Sequence, residues 1–118
     1  MSSLLFVAST DPDRRLLVLT VEGDASSASE LEPLRLVLPA VPAEHALLVD
    51  LSEAGPLDRS CIDVLRDVAR EAVTLGLTMI VVCADLARRT ELILADLDTM
   101  VPVVAAIEQA VPLTRAAA

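Results

Sequence analysis

Two uninterrupted apolar runs limit what this chain can become. Ala46–Leu51 reads ALLVDL, and Thr78–Cys83 reads TMIVVC. Neither run alternates between apolar and polar residues, so each suits a strand buried on both faces. Burial of that kind belongs to a parallel sheet with helices packed against it. Between the runs, Ile62, Leu65, Val68, Ala69, Ala72 and Val73 recur at helical intervals. Gly76 fits the position just past the end of that helix. Strand, helix and strand in this order make a parallel crossover unit.

The flanking segments extend the unit. Leu4–Ala8 and Arg15–Glu22, separated by the turn signal Thr10–Asp13, predict an opening hairpin that ends at Gly23. From Ala25 to Val41, apolar residues at Leu31, Leu34, Val37, Leu38 and Val41 predict a helix capped by Ser26, Ser27 or Ser29. Pro33 fits its first turn, and Pro39 and Pro42 stop it. Ser52–Arg59 reads as a loop, after which Ser60 resembles an N-cap with Asp63 completing an imperfect capping box. Asp85–Leu97 predicts a short helix. Val101–Val104 predicts a strand that Pro102 assigns to a sheet edge. Ala105–Val111 predicts a terminal helix, with Leu113–Ala118 fraying beyond it. The expected fold is α/β, a mixed and mostly parallel sheet opened by a β-hairpin, with helices packed on it. At 118 residues, one domain is expected.

Charge and composition then remove whole classes of function. Eighteen acids stand against nine bases, for a net charge of −9. Such a surface repels phosphate backbones and anionic lipid, which argues against nucleic-acid and membrane partners. All nine bases are arginine, so no lysine exists for a P-loop, a Schiff base, a kinase ATP site or a two-component receiver. Phe6 is the only aromatic residue, which leaves no platform for base stacking. An apolar share of 54% excludes disorder, yet no apolar run approaches the ~18 residues of a membrane span. Met1–Thr10 lacks the pattern of a signal peptide, so a cytoplasmic location is expected.

Five strings, in order, carry a resemblance. They are Leu19-Thr20-Val21-Glu22-Gly23, Leu48-Val49-Asp50-Leu51-Ser52 and Leu57-Asp58-Arg59-Ser60-Cys61, then Gly76 to Cys83, then Ala95-Asp96-Leu97-Asp98 with Val101-Pro102-Val103. Spanning roughly residues 15 to 111, the set resembles the STAS family, the anti-sigma factor antagonist domains. The resemblance implies a bacterial, non-enzymatic interaction module of signal transduction that docks a kinase-like anti-sigma factor and so regulates transcription. Its docking residues would be Asp24, Ser26, Ser27, Asp58, Arg59, Ser60 and Cys61, together with the helix from Ser60 to Leu75. It implies no cofactor. The alternative is a scaffold subunit that assembles with other STAS-type domains. The typical member carries a phosphate-accepting Ser directly after the Asp, and here that position is Arg59. Ser60 keeps the second hydroxyl and is the remaining candidate for phosphorylation. Cys61 replaces the family's Gly, and Ala25-Ser26 replaces its Leu-Asp in the first loop.

Physical chemistry offers each of these residues a structural role as well as a functional one. Asp58 and Ser60 can simply cap a helix, or the helix start can hold an anion. Asp24, Asp50 and Asp58 fall near the ends of strands, where carboxylates can gather a divalent cation or bond to backbone. Cys61 and Cys83 lack metal-site spacing, and each reads as a redox thiol or as a small buried hydrophobe. His45 lies in a loop without a nucleophile motif. Arg88-Arg89 and Glu30 with Glu32 read as solvated faces. No triad, metal quartet or phosphate loop is present in the sequence.

Overall fold

The two apolar runs lie side by side at the centre of one sheet. The computed structural model describes residues 4–25 and 27–116. β1 (Leu5–Asp11) and β2 (Leu16–Glu22) form the hairpin, with Leu5 opposite Glu22 and Asp11 opposite Leu16. β3 (Ala46–Asp50) and β4 (Thr78–Val82) follow in parallel, and β5 (Val103–Val104) closes the far edge. Strand order is β1-β2-β3-β4-β5, so the sheet is mixed and mostly parallel, as the sequence predicts.

Because side chains alternate along a strand, the sheet has two apolar faces. Leu17, Leu19, Leu47, Val49, Met79 and Val81 point to the larger core. That core is roofed by α1 (Pro33–Val37), α2 (Arg59–Thr74) and Leu92 of α3 (Leu86–Leu94). Leu16, Leu48, Ile80 and Val82 point the other way, onto Ala110 of α4 (Ile107–Ala116). The stripe on α2 is buried from Cys61 to Ala72. Its end is closed by Gly76, whose φ of 74° only glycine adopts at no steric cost, and Leu77 N–H donates back to the Ala72 carbonyl at 2.9 Å. Among the described residues, no helix is long and apolar enough to cross a membrane.

Several boundaries differ from the sequence reading. The helix expected over Ala25–Val41 is three short pieces: a 3-10 turn at Ala28–Leu31, α1, and a second 3-10 turn at Leu38–Ala40. Pro33 and Pro39 have no N–H to continue a ladder, so the helix is interrupted at each. Leu31, Leu34 and Leu38 are nonetheless buried, so the periodicity locates the core even where the backbone departs from an α-helix. α2 starts at Arg59, and its cap is Asp58 rather than Ser60. α3 ends at Leu94, because Asp96 takes a left-handed φ of 64° and starts a separate 3-10 turn. β5 lies at the edge as Pro102 implies, but comprises only Val103–Val104, while Val101 turns into the core. α4 continues past Val111 to Ala116 with Pro112 inside it. Ile107, Ala110 and Val111 pack onto the sheet and offset the hydrogen bond that Pro112 cannot make.

Candidate functional site

At the carboxyl end of the parallel strands, three loops are sewn into one surface. The loop after β2 meets the loop after β3 through a parallel bridge between Gly23 and Ala54. Gly23 N–H donates to the Glu53 carbonyl at 3.2 Å, and Gly55 N–H returns to the Gly23 carbonyl at 2.8 Å. Asp24 lies against Gly55 so closely that a Cβ there would overlap its carboxylate. Gly55 is therefore a close-approach glycine.

Polar side chains fix the same loops from below. Asp50 ends β3 and accepts from Ser52 N–H at 2.9 Å, an Asx-type turn that starts the loop. The Ser52 hydroxyl accepts from Ala84 N–H at 3.1 Å, which ties the end of β4 to the end of β3. Arg88 Nη1 donates to the Ala54 carbonyl, and Arg89 Nη1 donates to the carbonyls of Cys83 at 2.9 Å and Ala84 at 3.2 Å. The reading of Arg88-Arg89 as a solvated face is thus corrected. Loop carbonyls need donors, and α3, capped by Asp85, delivers two guanidinium groups to them. Sequence reasoning named Arg88 and Arg89 without their role and missed the roles of Ser52 and Asp85; a helix-capping Asp three and four residues before an Arg pair, close after a strand, is the signal it held.

Asp58 sets the start of α2. Its carboxylate accepts from Cys61 N–H at 2.9 Å and from the Ser60 hydroxyl at 2.7 Å. The backbone N–H of Cys61, and after it the Ser60 hydroxyl, hold the Asp58 carboxyl below the usual carboxylate range. Arg59 is exposed and meets Asp63 only loosely, at 3.5 Å. Cys61 turns inward and is buried, as is Cys83. Burial pushes both thiols up, and Asp58 adds to the effect at Cys61. Both are protonated at neutral pH and behave as small core residues.

The expected docking residues are thereby sorted. Asp24 and Asp58 are exposed on adjoining loops, Arg59 and Ser60 are exposed at the start of α2, and Cys61 is beneath them. Ser27 is exposed further along the first loop, where its hydroxyl pairs with Ser29 at 2.8 Å. Ser26 lies outside the described residues. Asp50 and Asp58 each accept a backbone N–H, Asp24 lies against Gly55, and among the described residues no group of three His, Cys, Asp or Glu side chains could hold a metal ion. His45 is at the opposite end of the sheet, with Nδ1 3.0 Å from the Ala43 carbonyl. Beneath the sewn loops, a cavity of about 10 Å³ lined by Leu51, Leu57, Ile62 and Leu92 is too small to hold a metabolite.

A mixed five-stranded sheet with one antiparallel pair and helices packed on it matches the STAS fold, and solved structures of that fold superpose on this chain. An anti-sigma factor antagonist from Mycobacterium paratuberculosis superposes with a TM-score of 0.71 at 22% identity, covering 96% of this chain and 95% of that one. An anti-sigma-factor antagonist (STAS) domain protein from Planctomyces limnophilus gives 0.66 at 12% identity, over 93% and 97% of the two chains. The anti-sigma factor antagonist SpoIIAA in its unphosphorylated form gives 0.61 at 13% identity, over 96% and 98%. No protein-family model and no curated protein sequence matches the chain. At these identities the likeness establishes the fold.

Proposed function

We propose that this chain is a non-enzymatic, cytoplasmic interaction module that docks a kinase-like anti-sigma factor and regulates transcription without a phosphorylation switch. The observation that carries this reading is the sewn surface itself. Asp24 and Asp58 on loops held by backbone bonds, and Arg59 at the start of α2, face solvent above a cavity too small for a substrate. Such a surface suits recognition of another protein, because little has to be ordered on binding. Regulation is then mass action: an anti-sigma factor held here is withdrawn from its sigma factor.

Two local features support the absence of a switch. Arg59 stands at the acceptor position and has no hydroxyl to phosphorylate. The Ser60 hydroxyl donates to Asp58 at 2.7 Å, so a phosphate on Ser60 would lose that bond and face a carboxylate of like charge. Binding is accordingly constitutive.

The test uses purified candidate anti-sigma factors from the source organism, titrated one by one against the chain with and without Mg-ATP, with intact mass read afterwards. Expected are one tight partner, an affinity indifferent to ATP, and an unchanged mass. The Arg59→Ser variant should gain a phosphate and then release that partner. A phosphorylated wild-type chain, or no binding by any candidate, overturns the reading. Homo-oligomers in light scattering, without any anti-sigma factor binding, would support the scaffold alternative in its place.

A further inference from the structure

The two edges of the sheet are guarded unequally. β5 is two residues long and follows Pro102, and shortness and proline both keep an edge from pairing with another chain. β1 has neither protection. It runs for seven residues without a proline. Its register with β2 is unbroken from Leu5 to Asp11, so no bulge twists it away. Among the described residues nothing pairs with its outer side. Alternate backbone N–H and C=O groups of β1 therefore point outward, ready to pair.

Charge singles out the same strand. A net charge of −9 keeps two copies of the chain apart over most of its surface. From Leu5 to Thr10, β1 carries no charge at all. Leu5 and Val7 are 54% and 41% exposed. They share the face of the sheet that meets α4, but α4 packs over β2, β3 and β4 and leaves them uncovered. An uncharged edge with exposed apolar side chains is suited to strand addition.

We propose that two copies of this chain join through β1, antiparallel about a two-fold axis at Ala8, so that the five strands of each form one continuous sheet. Ala8 is the midpoint of the strand, and this register pairs all seven residues of each copy. It sets Leu5 of one copy opposite Asp11 of the other, Phe6 opposite Thr10, and Val7 opposite Ser9. No acid then faces an acid, and Asp11 is already neutralised by Arg14 at 2.6 Å. The contact is the same patch on both copies and uses up the free edge, so it closes at a dimer and does not grow into a fibre. A contact one strand long is smaller than the about 1,600 Å² of a standard interface, so the dimer is weak and forms with rising concentration. The pairing uses the side of the sheet and not its carboxyl end, and it stands independently of the docking function.

The experiment is sedimentation velocity of wild type, Ala8→Lys and Ala8→Glu, each from about 10 μM to about 1 mM, with thermal unfolding of each. Ala8 is exposed, so both variants should keep the wild-type fold. Wild type should pass from monomer towards dimer across that range. Either substitution sets two like charges directly opposite each other at the axis and should raise the dissociation constant at least about tenfold. An equimolar mixture of Ala8→Lys and Ala8→Glu sets opposite charges there and should recover the dimer. In wild type alone, amide exchange at 5–11 should slow as concentration rises. A wild type that stays monomeric throughout overturns the proposal. So does a dimer indifferent to both substitutions, or a mixture of the folded variants that fails to recover it. Protection of 5–11 only in complex with an anti-sigma factor would also overturn it, and would give the edge to a strand of that partner.

Discussion

The two ends of the parallel sheet are built differently. At the carboxyl end, loops are joined to one another by backbone bonds and by arginines donating to carbonyls. At the amino end, the hairpin turn is braced within itself by Arg14 to Asp11 at 2.6 Å, and it meets the 41–45 loop and the start of β3 through one exposed ion pair, Arg15 to Glu44 at 3.3 Å, and one backbone bond, Ala46 N–H to the Arg15 carbonyl at 2.9 Å. Arg15 and Glu44 also take left-handed φ values of 55° and 64°, and an open cleft of about 800 Å³ separates the loops there. Backbone bonds and buried carbonyls hold a shape, whereas exposed ion pairs contribute little. The carboxyl end is therefore the preorganised one, and preorganisation is what a docking surface needs.

Substitutions at the two ends should separate them. The largest contrast is apolar. Leu51→Ala empties a site that is 1% exposed beneath the sewn loops and should cost about 2–5 kcal/mol in denaturant unfolding. Leu75→Ala, at a position 54% exposed where α2 reaches the amino end, should cost less than about 0.5 kcal/mol. Next come the arginines. Arg88→Met strands the Ala54 carbonyl and should cost about 1–3 kcal/mol. Arg15→Met removes only an exposed pair and should change stability by less than about 1 kcal/mol. Equal costs for these two variants would erase the distinction between the ends.

How far the sequence reveals this contrast depends on the kind of information involved. The continuous runs ALLVDL and TMIVVC place β3 and β4, because burial on both faces leaves a direct compositional mark. The stripe from Ile62 to Ala72 places α2 for the same reason. The first helix is misread because periodicity reports which side chains are buried, while Pro33 and Pro39 decide the backbone. The family resemblance nominates Asp24 and Asp58 to Cys61, and the structure brings these residues together on adjoining elements at one end of the sheet. The sewing of Gly23 to Ala54 and of Arg88 to Ala54 joins residues distant in the chain, and such contacts leave no local pattern. The cap passes from Ser60 to Asp58 because a carboxylate two residues upstream reaches Cys61 N–H, a choice that spacing alone leaves open.

A pH series sharpens the comparison further. The Asp58 carboxyl is held low in the folded chain by the Cys61 N–H and the Ser60 hydroxyl. Its contribution is thus fully present above the unfolded carboxylate pKa of about 4 and is lost as pH falls through the lower folded value. Asp58→Ala should lower Tm at neutral pH, and the gap to wild type should close in the acid range. A gap that persists unchanged at low pH would mean the carboxylate is not what caps α2. The smallest effect is a coupling. Gly55→Ala forces the Asp24 carboxylate aside, so its cost should fall by about 0.5 kcal/mol when Asp24→Gly is already present. Strict additivity in that cycle would remove the contact from the surface.

The most direct test of the proposed docking surface is a hydrogen-exchange footprint of the chain in complex with the anti-sigma factor that the proposal assigns to it. Expected is new protection at residues 23–25, 52–58 and along the first turns of α2, with the 12–15 and 41–45 loops unchanged. Protection confined to the amino-end loops, with the sewn loops exchanging as they do in the free chain, would contradict it.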